Sequence, residues 1–141
     1  MKRIAITSGA LKITAELDAD GKLTAVRLPA KPPRDLDTAA LAGVLTELEK
    51  YELSEEGPPF RRKAWSRMRK IGWGQALTYT ELATALGNPR ASRAVGQACA
   101  KNPLLLIVPC HRVLAATGLG GFAYGLEWKE KLLELETEPR P

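Results

Sequence analysis

The chain has 141 residues, 45% hydrophobic and 26% charged, with 21 Lys and Arg against 16 Asp and Glu for a formal net charge of +5. That length suits one medium domain or two small ones packed together. No apolar run approaches the ~20 residues of a membrane span, and no signal-peptide core follows Met1-Lys2-Arg3-Ile4, so a cytoplasmic protein with no membrane partner is expected.

Arg3–Ser8 and Leu11–Leu17 alternate as strands, and Asp20-Gly21 marks a hairpin turn before a third strand at Lys22–Leu28. Ala30-Lys31-Pro32-Pro33 breaks the pattern. Asp37 then stands as the cap of a helix over Thr38–Tyr51, with Leu41, Val44, Leu45 and Leu48 along one face. The polar, glycine- and proline-containing stretch Ser54–Pro59 is the candidate boundary. It divides a β-rich subdomain with a covering helix, residues 1–56, from a second domain, residues 57–141. Charge divides at nearly the same place. Residues 1–58 carry 8 Lys and Arg against 10 Asp and Glu, whereas residues 59–141 carry 13 against 6. A polyanion partner for the second part fits this asymmetry, and so does solubility alone.

A helix is expected over Phe60–Ile71, with Phe60, Ala64, Met68 and Ile71 as its apolar stripe and Arg61, Arg62, Lys63, Arg67, Arg69 and Lys70 crowding the remainder. Thr78-Tyr79-Thr80-Glu81 has the form of a capping box, flanked by Leu77 and Leu82 as a hydrophobic staple. The helix it opens ends at Gly87. Asn88-Pro89 reads as the start of another helix, Pro89–Lys101, with Asn88 as its cap. Together the two make a helix-turn-helix. Along the second, Ala91, Ala94, Val95, Ala98 and Cys99 recur at core spacing, and Arg93, Gly96, Gln97, Ala100 and Lys101 fall opposite. Gly96 costs helix propensity there and leaves a flat face, suited to a nucleic-acid groove or to another part of the protein.

Leu104–Val108 is a run of five apolar residues and reads as a buried strand, ended by Pro109. It mounts Cys110 beside His111, the only histidine. A thiol becomes nucleophilic when a base takes its proton, yet a buried cysteine is also commonly structural, the reading given to Cys99. Adjacent residues on extended backbone point to opposite faces, so proton transfer between Cys110 and His111 needs a bend or a bridging water. His111 also needs a third group to set its tautomer, for which a carboxylate of the C-terminal helix is the natural source. Two cysteines and one histidine are too few for a disulfide framework or a structural zinc site, so no metal is expected.

Arg93-Ala94-Val95-Gly96, Asn102-Pro103, Pro109-Cys110-His111-Arg112-Val113, Gly120-Gly121-Phe122 and Lys129…Leu132-Leu133…Glu136 resemble the O6-alkylguanine-DNA alkyltransferases, the methylated-DNA–protein-cysteine methyltransferases. The resemblance runs from about Gly57 to Glu136. It implies an α+β fold: a small N-terminal β-sheet subdomain, ribonuclease H-like, and a helical, winged-helix-like C-terminal domain carrying the helix-turn-helix and the active-site cysteine. It also implies a monomer, without a cofactor, that binds the minor groove of double-stranded DNA containing O6-alkylguanine. By position, Cys110 matches the alkyl acceptor, His111 the base reaching it through a water, and Glu136 the carboxylate orienting His111. Asn102 matches the hinge asparagine. Arg93 matches the arginine that fills the gap left by the extruded base, on a helix whose Gly96 and Gln97 also face DNA. Tyr79 matches the tyrosine at the flipped nucleotide's phosphate, its hydroxyl helping to protonate the departing guanine. Val113, Gly121, Ala123 and Tyr124 match the guanine pocket, with Ala123 offering backbone alone and Tyr124 a bulky wall. Two other readings are an alkyltransferase-like lesion sensor, against which Cys110 argues, and a helix-turn-helix transcription factor, which leaves His111 and the glycine-rich loop unexplained.

Overall fold

The protein is described over residues 1–141 by a computed structural model. Strands β1 (Lys2–Ser8), β2 (Leu11–Leu17) and β3 (Leu23–Arg27) form an antiparallel sheet in the order β1-β2-β3. Gly9, at φ +54, turns β1 into β2, and the register pairs Lys2 with Leu17 and Ser8 with Leu11. Leu11, Ile13, Ala15 and Leu17 are buried along β2, the period-2 pattern of a sheet with one covered face. Helix α1 (Thr38–Leu48) packs on it, burying Ala40, Leu41, Val44, Leu45 and Leu48. Its N-terminus is capped as expected, with Ala40 N donating to Asp37 Oδ1 at 2.8 Å.

Six elements follow: α2 (Pro59–Met68), β4 (Leu77–Thr78), α3 (Tyr79–Ala85), α4 (Ser92–Ala100), β5 (Val113–Leu114) and α5 (Leu126–Leu135), with a 3₁₀ turn at Cys110–Arg112. Both halves of the capping box form. Glu81 N donates to Thr78 Oγ1 at 3.1 Å, and Thr78 N donates to Glu81 Oε1 at 2.8 Å. Gly87 takes φ +86 just beyond α3, a conformation that favours glycine. The short strands β4 and β5 pair in parallel, Leu77 with Val113 and Thr78 with Leu114. This clamps the start of α3 to the chain leaving Cys110. At the far end, buried Trp128 of α5 donates its indole N–H to Pro29 O at 2.8 Å. A single hydrophobic cluster runs from the sheet through α5, and no helix is long and apolar enough to cross a membrane.

Two expectations are corrected. Helix α4 starts at Ser92 rather than Pro89, and Asn88 does not cap it. Asn88 instead closes a turn: its Oδ1 accepts from Arg90 N at 3.1 Å and its carbonyl from Ala91 N at 3.0 Å. Asparagine side chains form such turns as readily as caps, and the dipeptide Asn-Pro alone does not choose between them. Leu104–Val108 is not a strand. After one bridge from Val26 to Leu104 the chain coils through a tight turn, in which Leu106 is the only non-glycine residue with positive φ, +72. The burial itself holds, for Leu104, Leu105, Leu106 and Val108.

The cap on α3 supports the element that carries Tyr79, so Thr78→Ala is expected to cost ~1 kcal/mol. Urea denaturation should show a lower midpoint at unchanged slope; an unaltered midpoint would show that the β4–β5 clamp alone holds α3 in place.

Candidate active site

Cys110 and His111 lie in the 3₁₀ turn, not on extended backbone. The turn is set by Cys110 N donating to Val108 O at 2.8 Å and Arg112 N to Pro109 O at 2.9 Å. At three residues per turn, neighbouring side chains diverge by ~120° rather than 180°, so the two groups are less opposed than an extended chain would make them. Both are 2% exposed.

The position of His111 is decided by Glu136, at the C-terminal end of α5. His111 Nε2 lies 2.7 Å from Glu136 Oε2. Arg112, to which the sequence assigns no role, grips the same carboxylate with both arms. Its Nε donates to Oε1 at 2.7 Å and its Nη2 to Oε2 at 2.9 Å, while Nη1 donates to Ile71 O at 2.6 Å. Burial works to raise the Glu136 carboxyl, but the hydrogen bonds from His111 and Arg112, with the Arg112 charge, overcome it and hold it at about 2. Burial lowers the His111 imidazole, and the pull of Glu136 only partly offsets this.

The electronic consequence is specific. An ionised carboxylate only accepts hydrogen bonds, so His111 carries its proton on Nε2 and keeps a lone pair on Nδ1. Nδ1 is the one buried side-chain nitrogen or oxygen in the molecule without a hydrogen-bond partner. An unpaired basic nitrogen in a desolvated site costs stability and suits proton transfer. Cys110 is a resting thiol: burial pushes it up, and the neighbouring Asn102 side chain and the Lys129 charge work against that.

Asn102 replaces the sheet pairing that Leu104–Val108 lacks. Its Nδ2 donates to Val108 O and its Oδ1 accepts from Leu104 N, both at 2.9 Å. The side chain therefore ties the end of α4 to the turn below Cys110. Lys129 is a second residue that sequence reasoning leaves without a function. It is fully buried, and its Nζ donates to Val113 O at 2.7 Å and Gly121 O at 3.0 Å, 6.0 Å from the centre of the Tyr79 ring. Its signal is a lysine inside the apolar stripe of α5, between Trp128 and Leu132. Tyr79, half-buried, accepts from Gly121 N at 3.3 Å. Gly120 has φ +75, and a Cβ there would lie 2.6 Å from the Tyr79 hydroxyl, so the loop passes close only because Gly120 lacks a side chain.

Cys110, His111, Glu136 and Asn102 are thus assembled in the interior, with Tyr79, Val113 and Gly121 joined through Lys129 beside them. Ala123 is exposed and Tyr124 half-buried on the same loop. Arg93 and Gln97 stand apart, exposed on the outer side of α4, and nothing lies within 4 Å of where a Cβ on Gly96 would project. No cluster of His, Cys, Asp and Glu is arranged to hold a metal ion.

Residues 59–138 match the family described as 6-O-methylguanine DNA methyltransferase, DNA binding domain. A methylated-DNA–protein-cysteine methyltransferase of Sulfolobus acidocaldarius is 56% identical over 77 residues, 55% of this chain and 48% of that protein. One from Methanosarcina acetivorans is 48% identical over 99 residues, 70% of this chain and 63% of that protein. The match therefore spans between about half and two-thirds of the length of these curated relatives. Among solved structures, Mycobacterium tuberculosis OGT in complex with DNA superimposes with a TM-score of 0.78 and 32% identity, over 97% of this chain and 93% of that one.

The buried ionic cluster makes stability depend on acid in two stages. Both groups sit below their ordinary values of 6.5 for His111 and 4.5 for Glu136, so on acidification the unfolded chain takes up protons first and stability falls. Stability is expected to be fully present above pH 6.5, to decline below it through His111, and to lose ~3 kcal/mol more from Glu136 as pH drops from 4.5 toward 2. Urea midpoints followed across this range check the profile. A flat response below pH 4.5 would contradict a carboxylate held ionised by Arg112.

Proposed function

Because the chain belongs to the O6-methylguanine DNA methyltransferase family through residues 59–138, we propose that it repairs DNA by moving the alkyl group of O6-alkylguanine onto its own Cys110. The observation that carries this reading is the buried thiol beside a neutral His111 whose Nδ1 is unpaired and whose Nε2 is committed to Glu136. That arrangement makes a base for a nucleophile.

A base stacked in a duplex cannot reach a thiol that is 2% exposed, so the guanine is flipped out, at a cost of a few kcal/mol that a mispaired, alkylated base lessens. α4 lies in the minor groove, its open surface at Gly96 permitting close approach, with Gln97 beside it and Arg93 filling the space the base leaves. Contacts to phosphate supply affinity without sequence preference. The guanine lies against Val113, Gly121, Ala123 and Tyr124. His111 takes the Cys110 proton through a water; the sulfur forms a bond to the alkyl carbon as the carbon–O6 bond breaks. The electron pair leaves on guanine, which takes up a proton with help from the Tyr79 hydroxyl. The product thioether is stable, so each molecule acts once. Asn102 keeps the nucleophile in register with α4. We assign the chemistry and DNA binding to residues 57–141, a structural role to residues 1–56, and the working state to a cytoplasmic monomer without a cofactor.

Intact mass and peptide mapping after incubation with an O6-methylguanine duplex provide the test. One added methylene on Cys110, absent in Cys110→Ser, is expected. Tight binding of the lesion without a mass change would make the protein a sensor, and sequence-specific binding of undamaged DNA would make it a transcription factor. Glu136→Gln is expected to slow transfer by ~10²-fold or more by misorienting the base. Arg93→Ala is expected to slow transfer from duplex ~10–100-fold while sparing reaction with the free O6-methylguanine base, since only the former requires flipping.

A further inference from the structure

α2 carries a surface that the repair chemistry does not use. Arg61, Arg62, Lys63 and Arg67 on the helix, with Arg69 and Lys70 in the turn that ends it, are joined by no acidic residue anywhere from Gly57 to Thr80. None of the six makes an ion pair or a side-chain hydrogen bond. For folding alone this is a poor arrangement. Lys63 and Arg67, four apart, repel each other, as do Arg67 and Lys70, three apart. Arg61 in the first turn opposes the helix dipole, and the N-terminus of α2 has no side-chain cap. Charges kept where they weaken their own helix point to a partner that neutralises them.

The geometry separates this surface from α4. The buried side of α2 is formed by Ala64 and Met68, and Trp65 Nε1 donates to Ala98 O of α4 at 2.8 Å. Arg62, Lys63, Ser66, Arg69 and Lys70, all exposed, lie about half a turn around α2 from Ala64 and Met68. On α4, Ala98 lies in turn about half a turn from Arg93 and Gly96. The two helices pack through inner faces, so their outer faces look to different sides of the molecule.

We propose that this outer face of α2 is a second DNA-binding surface, holding the phosphate backbone of a separate duplex segment while α4 engages the lesion. The row from Arg62 to Lys70 runs ~12 Å along the helix, long enough to meet several phosphates at the ~1.7 Å axial charge spacing of a duplex. Its cations flank a groove of about 630 Å³ that also takes in Trp65 and Val108, with Glu55 at its edge. Unpaired cations in a row suit sequence-independent neutralisation of a regular polyanion better than an irregular acidic protein surface. The identity of the polyanion as DNA rests on the repair function proposed above; the surface itself does not.

The experiment uses the full chain with Cys110→Ser, which leaves the lesion in place. Protein bound to an immobilised short duplex containing O6-methylguanine is offered a fluorescent undamaged duplex, and capture is measured against salt. Capture is expected, and Arg62→Ala/Arg69→Ala should weaken it ~10-fold or more and reduce the log–log salt slope by about 2. The same pair of changes in protein with Cys110 intact should leave alkyl transfer from the short duplex, and the melting temperature, unchanged. Capture with an unaltered slope in the variant, or capture of single strands in place of duplex, would overturn the proposal. If the protein captures duplex through α2 but never alkylates Cys110, the surface stands and the repair reading falls. If it alkylates Cys110 and captures nothing, the reverse holds.

Discussion

The carboxylate of Glu136 is the point on which the rest of this molecule hangs. A buried charge survives only if its partners replace the water it has lost, and here both carboxylate oxygens are taken up by Arg112 and one also by His111. The partners tie distant pieces of chain together. Arg112 belongs to the turn that carries Cys110, and its remaining arm reaches Ile71 O just beyond α2. One carboxyl group therefore fixes the end of α5, the Cys110 turn and the region after α2 relative to each other. The same group that sets the tautomer of His111 sets the architecture around it.

Two buried thiols in one core illustrate why neighbourhood matters more than burial. Cys99 is pushed up to about 12 by burial, and next by its proximity to Cys110. It faces inward from α4 with no base in hydrogen-bond reach. Cys110 is raised by the same cause, and the Lys129 charge works against it at both thiols; Cys110 alone has Asn102 working against it too and a neutral imidazole next to it in sequence. Desolvation keeps both quiet. Only one has a way to lose its proton.

Features written in a few consecutive residues are legible in the amino-acid sequence alone: the Asp37 cap, the capping box at Thr78–Glu81, the stop at Gly87 and the two faces of α4. Each is a local competition for backbone hydrogen bonds or a helical period, and each forms as its residues imply. Leu104–Val108 is half legible. Hydrophobicity declares its burial, but five apolar residues have no period that separates a strand from a turn, and the turn depends on Asn102 bonding across it. Glu136 and Cys110 are recognisable through resemblance, and a carboxylate partner for His111 through chemistry. The double grip of Arg112 is not, because its partners lie 24 and 41 residues away. Lys129 leaves a visible anomaly in an apolar stripe, but the carbonyls it serves lie on β5 at Val113 and on the loop beyond it at Gly121, and no local signature brings the two together.

That loop divides its glycines into two kinds. Gly120 cannot gain a side chain without striking the Tyr79 hydroxyl, whereas a Cβ at Gly118 or Gly121 meets nothing within 4 Å. Gly120 allows the loop its close pass over Tyr79, while Gly121 holds the loop by backbone alone, its N–H donating to the Tyr79 hydroxyl and its carbonyl accepting from Lys129. A side chain added at Gly121 would project into open space and leave both of its backbone bonds in place. The loop can therefore gain a side chain at one glycine while its neighbour must stay bare.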